Sequence, residues 1–281
     1  MKHLYLNLKR FDIGPAHGGV NRIAPMMLWG GQIVRSTQEK LKGYDRTQTE
    51  FVQFLPEAHL LNAIAACFPG GPVQIGCQSV YREDTAVGGN FGAFTSNLPA
   101  SAAAEIGCKV VLIGHCEERS DKLGVLAAAG VTGKTAKKAI EQLLNAQVLA
   151  AQKAGLKVLY CVGETSEEQS SWEAVIGDQL NVGLAGANPE QVVIAYEPIW
   201  SIGPGKPPAD KPYIEKIARF IKQCTGGMDV VYGGGLKAEN AVMLASIPEI
   251  DGGLIALTHF TGEIGFYPEE YLEIIRLYLG Q

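Results

Sequence analysis

The 281 residues are 47% hydrophobic and 19% charged, an ordinary composition for a globular chain with room for one large core. Lys+Arg 24 against Asp+Glu 29 leaves a formal charge of −5 with no basic cluster, which argues against non-specific nucleic-acid binding. No apolar run approaches the roughly 20 residues a membrane span needs. The N-terminus has no long apolar signal-like stretch, and the six cysteines show neither CxxC nor Cys/His ligand spacing. Both features point to a reducing compartment, the cytoplasm.

In chain order, compact β-branched runs predict strands near Leu4–Asn7, Glu50–Leu55, Val73–Gln78, Val110–Ile113, Val158–Val162, Val192–Glu197, Val230–Tyr232 and Gly253–Ala256. They lack strict alternation, as expected of parallel strands buried on both faces. Helical patterns lie between them, among them Lys134–Ala154, Trp172–Leu184, Pro212–Gln223, Ala238–Ser246 and Pro268–Tyr278. Eight such units in a chain near the typical length of about 250 residues predict a single-domain α/β protein over residues 1–281, a (β/α)8 barrel. An open doubly wound sheet is the alternative, but Asn7–Asp12 holds no glycine where its GxGxxG would begin. The segments Gly14–Gly31, Pro69–Pro72, Val87–Gly92 and Gly203–Pro208 read as loops of one domain. The connections after strands one, three and eight are extended, all at the strand C-termini where barrels of this kind carry their active sites.

Three of those strand ends carry chemistry. Asn7 and Lys9 are two apart, so their side chains project to one side. His115 follows the apolar run VVLIG and precedes CEER. A helix beginning there would lower its pKa and keep the imidazole neutral, still able to donate to a developing oxyanion. Glu197 ends an apolar strand among Tyr196, Ile199 and Trp200, where desolvation raises a carboxylate toward the range of a working base. Pro198 forces it into extended geometry. The following Ile199–Lys206 segment, IWSIGPGK, pairs apolar cover with glycines, the composition of a lid. Each residue alone has a bland reading: a solvated lysine, a histidine bonded to backbone, an ion-paired glutamate. Together, a base, a neutral donor and a cation suggest proton transfer beside a carbonyl. His3, His17 and His59 read as structural or exposed, and the role of His259, just after strand eight, stays open.

The pieces NLK, GHCEER, CVGE (Cys161–Glu164), YEPIWSIGPGK, YGGG (Tyr232–Gly235) and DGGL (Asp251–Leu254) run in order over nearly the whole chain, which resembles the triosephosphate isomerase family. That resemblance implies aldose–ketose isomerisation of a short sugar phosphate with no metal and no organic cofactor. Glu197 would be the base and His115 the group polarising the carbonyl. Lys9 would supply charge to the enediolate, Asn7 orientation, and Glu117 support from behind. Gly203 would close over the phosphate. Thr95, in GAFTSN, would sit on a loop docking into a second copy, giving a homodimer. The resemblance also exposes departures. Gly235 stands where the family has a serine, and Ala256–Leu257 where it has two phosphate-binding glycines. Glu118 replaces an arginine and Asn97 a glutamate at the expected subunit contact, and Pro204 and Pro207–Pro208 should stiffen the lid. Glyceraldehyde 3-phosphate and dihydroxyacetone phosphate are the simplest substrate pair. A tetrulose phosphate is the alternative within the class, and a non-catalytic ligand-binding relative the alternative outside it.

Overall fold

The computed structural model describes residues 1–203 and 206–280. Eight strands, β1 (Lys2–Asn7), β2 (Thr49–Leu55), β3 (Val73–Cys77), β4 (Val110–Ile113), β5 (Lys157–Val162), β6 (Val192–Tyr196), β7 (Val230–Tyr232) and β8 (Gly252–Ile255), close into one barrel in sequence order. All neighbours are parallel, and β1 closes the barrel by pairing with β8 from His3↔Gly252 to Leu6↔Ile255. The predicted strand positions hold to within about a residue at most ends. The near-continuous apolar runs are explained by two cores. Tyr5, Val52, Phe54, Leu112, Leu159, Ala195, Val231 and Leu254 fill the barrel. Alternate residues such as Leu4, Leu6, Phe51, Val111 and Ile194 face the surrounding helices.

The helices are α1 (Trp29–Leu41), α2 (Leu60–Ala66), α3 (Ala100–Ile106), α4 (Cys116–Ala128), α5 (Gly133–Lys153), α6 (Trp172–Gly183), α7 (Lys211–Thr225), α8 (Ala241–Ala245) and α9 (Pro268–Leu279). α7 shows how local sequence sets its bounds: the Asp210 carboxylate accepts from Tyr213 N at 2.9 Å, Pro212 occupies the first turn, and Gly226 ends the helix at φ +70. Two expectations need correction. Gly30 and Gly31 belong to the first turns of α1 rather than to a loop. A side chain at Gly30 would press on Leu55 and His59, so the glycines serve close helix–helix packing. The helix predicted over Ala238–Ser246 is only the five residues of α8, because the Asn240 side chain bonds back to Lys237 N and Gly235 O and holds a turn before it.

The base of the barrel carries a buried polar cluster. His3 Nδ1 meets Glu50 Oε2 and its Nε2 meets Asp229 Oδ2, both at 2.9 Å, while Tyr5 donates to Glu50 at 2.7 Å. Burial alone would raise Glu50. The hydrogen bonds from His3 and Tyr5, with the Lys157 charge, overcome it and hold the carboxyl at about 2. Burial alone would lower His3, yet its bonds to Asp229 and Glu50 raise it above the usual range. Glu50 therefore stabilises the fold above its unfolded value near 4.5, by on the order of 3 kcal/mol, and that stability is lost as pH falls through about 2. The His3 contribution has the opposite sign, present below 6.5 and lost as pH rises through its raised folded value. Urea titrations of the wild type and of Glu50→Gln at several pH values should show the variant's deficit shrinking between about pH 4 and pH 2. An equal deficit at all pH values would show that packing, not charge, explains it.

Two long loops are fixed at the mouth. After β1, Asp12 is fully buried, takes two bonds from Arg10 (3.1 and 2.9 Å) and meets His59 Nε2 at 3.0 Å. After β8, His259 and Gly265 exchange backbone bonds at 3.1 and 3.2 Å, and Arg22 donates to Ile264 O at 3.2 Å, joining the first loop to the last. The loop after β3, residues 78–99, is largely exposed. No helix among the described residues is long and apolar enough to cross a membrane.

Candidate active site

The site is organised by the N-terminus of α4. Gly114, at φ +79, turns the chain out of β4; its N–H donates to Glu118 Oε2 (2.8 Å) and its carbonyl accepts from Arg119 Nε (2.7 Å). Arg119 is buried, bonds Cys161 O at 2.8 Å and pairs with Glu141, so the turn is anchored in the core. His115 then occupies the cap position, its Nδ1 accepting from Glu117 N at 3.3 Å. An Nδ1 that accepts carries no proton, so the neutral ring holds its proton on Nε2, aimed at the pocket. Burial, and after it the nearby Lys9 charge, push His115 down to about 3. The imidazole is neutral throughout the physiological range.

Glu197 comes from the end of β6 and meets the same helix terminus. Its Oε2 accepts from Cys116 N at 2.9 Å, the first helical N–H of α4. Oε1 is buried without a hydrogen-bond partner, although His115 Nε2 stands 3.3 Å away. Burial raises this carboxyl to about 7, against the bond from Cys116 and the charge of Lys9. Gly233 leaves the room this requires, since a side chain there would lie 2.8 Å from Glu197 Cγ. The donor atoms of His115, Cys116 and Glu197 lie within 4.8 Å of one another. The Cys116 thiol, however, is pushed up to about 12 by burial and by Glu197, and stays protonated. A protonated thiol is a poor nucleophile and a poor ligand, so the trio is arranged for proton transfer.

Asn7 and Lys9 reach the same mouth from β1. Asn7 is buried, its Oδ1 accepting from Lys9 N (3.1 Å) and from Gln78 Nε2 (3.2 Å). Lys9 takes φ +41, a strained value for a residue with a side chain. Gln78 Nε2 also lies 3.2 Å from Lys9 O and 3.3 Å from Phe54 O. The Gln78 amide thus locks the backbone that aims the lysine, a role the sequence reading did not assign. Glu117 lies behind the His115 ring: its N–H bonds Nδ1, and its carboxylate is 73% exposed with Oε2 3.5 Å from Nδ1.

The start of the segment expected to form a lid is tied down at Trp200 by Glu164, whose sequence fragment CVGE carried no assigned role. Its Oε1 accepts from Tyr196 OH (3.0 Å), Trp200 Nε1 (2.7 Å) and Tyr213 OH (3.0 Å). At the far end, Ser201 Oγ donates to Pro207 O (2.9 Å) and accepts from Ala209 N (3.0 Å). Gly203 is exposed at φ +117. Pro204, which the sequence suggests as a lid stiffener, and Gly205 lie outside the described residues.

At the other rim, Gly235 takes φ +99, while Ala256 and Leu257 leave β8 half-buried. Leu257 packs against neither core cluster. Glu118 turns inward to Gly114 N and to Lys122 Nζ at 2.7 Å, which accounts for a glutamate at that position. Thr95 and Asn97 are exposed on the loop after β3.

The family model for triosephosphate isomerase matches residues 30–276. Triosephosphate isomerase of Synechocystis sp. is 34% identical over 218 residues, covering 76% of this chain and 79% of that protein. The Pseudomonas putida triosephosphate isomerase is 36% identical over 219 residues, covering 73% and 78%. The crystal structure of triosephosphate isomerase from Bartonella henselae superposes with TM-score 0.72 over 99% of both chains at 24% identity, which speaks for the shared fold. The chain belongs to the triosephosphate isomerase family.

Proposed function

We propose that the protein interconverts D-glyceraldehyde 3-phosphate and dihydroxyacetone phosphate by enediolate proton transfer. The observation that carries this reading is the placement of Glu197 and His115 on one helix terminus, Oε1 3.3 Å from Nε2, where burial raises the carboxyl to about 7 and lowers the imidazole to about 3. A carboxylate poised near neutral pH beside a neutral imidazole is the arrangement for which triosephosphate isomerase is the type case. Glu197 Oε1, the oxygen with free lone pairs, takes the proton from the carbon beside the carbonyl. His115 Nε2–H donates to the oxygen on which charge develops and moves a proton between the two oxygens. The Lys9 ammonium stabilises the enediolate, and Asn7, held by Gln78, fixes its approach. Glu197 then returns the proton to the neighbouring carbon. The lid segment from Ile199 through Gly203 covers the phosphate and excludes water.

The altered rim at Gly235, Ala256 and Leu257 favours a second substrate, a tetrulose phosphate with its four-carbon aldose. Turnover of glyceraldehyde 3-phosphate by the purified protein, followed through coupled reduction of dihydroxyacetone phosphate, tests the first reading. Absence of turnover there, with turnover of a tetrose phosphate, would establish the second.

We propose further that the chain works in the cytoplasm as a homodimer through the loop carrying Thr95. A cavity of about 360 Å³ lined by Arg10, Gln78, Tyr81, Asn97, Glu118 and Lys122 lies beside that loop and can receive its counterpart from a second copy. Val87 and Phe91 on the loop are fully exposed apolar groups awaiting cover. Light scattering at micromolar concentration should give twice the chain mass of 30.0 kDa, and Phe91→Asp should shift it toward the monomer. A monomeric wild type would overturn this assembly.

A further inference from the structure

We infer that Lys237 is the phosphate-anchoring cation of this site, a positioning residue added to the backbone N–H donors of a rim whose Gly235 offers no hydroxyl. The inference rests on the sugar-phosphate reading above. In (β/α)8 barrels a phosphate group commonly settles between the loops after strands seven and eight. Here those loops offer Gly235, without a hydroxyl, and Ala256–Leu257, without the freedom of glycine. Lys237 lies between them.

Its side chain runs back past Gly235, with Cε 3.6 Å from the place a Gly235 Cβ would occupy. Its ammonium stands 4.1 Å over the ring of Phe260, on the loop after β8. The lysine therefore spans the gap from one phosphate-side loop to the other, its methylenes lying alongside Gly235.

The lysine is also prepared for an anion. It is half-buried, and among the described residues no carboxylate pairs with it. A cation resting on an aromatic face keeps most of its charge available, since that attraction is modest where the pair is partly exposed. Its backbone is fixed: Lys237 N donates to Asn240 Oδ1 (2.8 Å), Asn240 Nδ2 to Gly235 O (2.9 Å), and Leu236 N to Leu254 O (3.0 Å). These bonds belong to the main chain, so changing the side chain leaves the turn intact. To meet a phosphate the ammonium has only to swing off the Phe260 ring.

The test compares wild type, Lys237→Met and Lys237→Arg. Methionine keeps the length and the contact with Phe260 and removes the charge. KM for glyceraldehyde 3-phosphate and the inhibition constant of inorganic phosphate should both rise about 10–100-fold in Lys237→Met, the scale of one lost charge-assisted bond. kcat should change far less, unphosphorylated glyceraldehyde should react equally with both proteins, and Lys237→Arg should recover most of the phosphate affinity. Unchanged KM and unchanged phosphate inhibition in Lys237→Met would overturn the inference while leaving the isomerase reading standing. Failure of the wild type to bind inorganic phosphate by calorimetry would overturn it as well. If the wild type does not turn over glyceraldehyde 3-phosphate but binds inorganic phosphate in a Lys237-dependent way, the anchor stands and the substrate assignment falls.

Discussion

Glu197→Gln is expected to lower kcat for triose-phosphate isomerisation by at least the roughly 10²–10⁴-fold that a positioned base contributes. Glutamine keeps the shape and still offers an oxygen to Cys116 N, so the loss reports the missing base and not a collapsed pocket. The same variant should be more stable than the wild type above neutral pH. Glu197 has its folded value raised from 4.5 to about 7, so between those values the folded protein holds a proton that the unfolded chain has released. Stability therefore falls with rising pH across that window, and above it the buried carboxylate costs on the order of 3 kcal/mol. Glutamine removes that cost. Thermal melts at pH 8 should show a higher Tm for the variant, and melts at pH 4 should show little difference. A lower Tm at pH 8 together with retained activity would remove Glu197 from the role of strained base. Gain of stability with loss of turnover is the signature of a group held in an unfavourable state for its chemistry.

Much of this candidate site was legible in the sequence because each proposed catalytic group ends an apolar strand. β1, β4 and β6 are buried on both faces, so a polar residue at their C-terminal ends stands out against the run before it. Asn7, Lys9, His115 and Glu197 are brought to one mouth as the strand order requires. His115 is neutral as expected, but burial and then the Lys9 charge keep it so, while the helix start, through the bond from Glu117 N, sets which ring nitrogen carries the proton. The supporting groups were less legible for a physical reason. Gln78 lies one residue past β3, and its importance comes from three acceptors contributed by β1, the turn after it and β2. Glu164 binds Tyr196, Trp200 and Tyr213, partners 32 to 49 positions away. Such convergence exists only after the barrel closes. The cap at α8 was missed because Asn240 spends its side chain on a turn, where a period-based reading extends the helix.

The second large effect is expected at His115. His115→Gln should reduce kcat roughly 10²–10³-fold, the range found when one preorganised donor to a developing oxyanion is removed. The instructive part is the pH profile. His115 is held at about 3, so it does not change charge where the enzyme works, whereas Glu197 titrates at about 7. The wild-type kcat/KM should therefore fall with unit slope as pH drops through about 7, as the base is protonated and removed from service. In His115→Gln that limb should persist, with a modest shift, because the group producing it is still present. Were the limb to vanish with the imidazole, the titrating group would be His115 and the assignment of roles would be reversed. Nitrogen chemical shifts of the ring give an independent reading. They should remain those of a neutral imidazole protonated on Nε2 from pH 5 to pH 9, since Nδ1 accepts from Glu117 N and burial opposes a second proton. A neutral imidazole donates a weaker hydrogen bond than an imidazolium, but its own acidity lies closer to that of the enediol it must protonate. The pair can thus exchange a proton in both directions without leaving a buried charge stranded at either end.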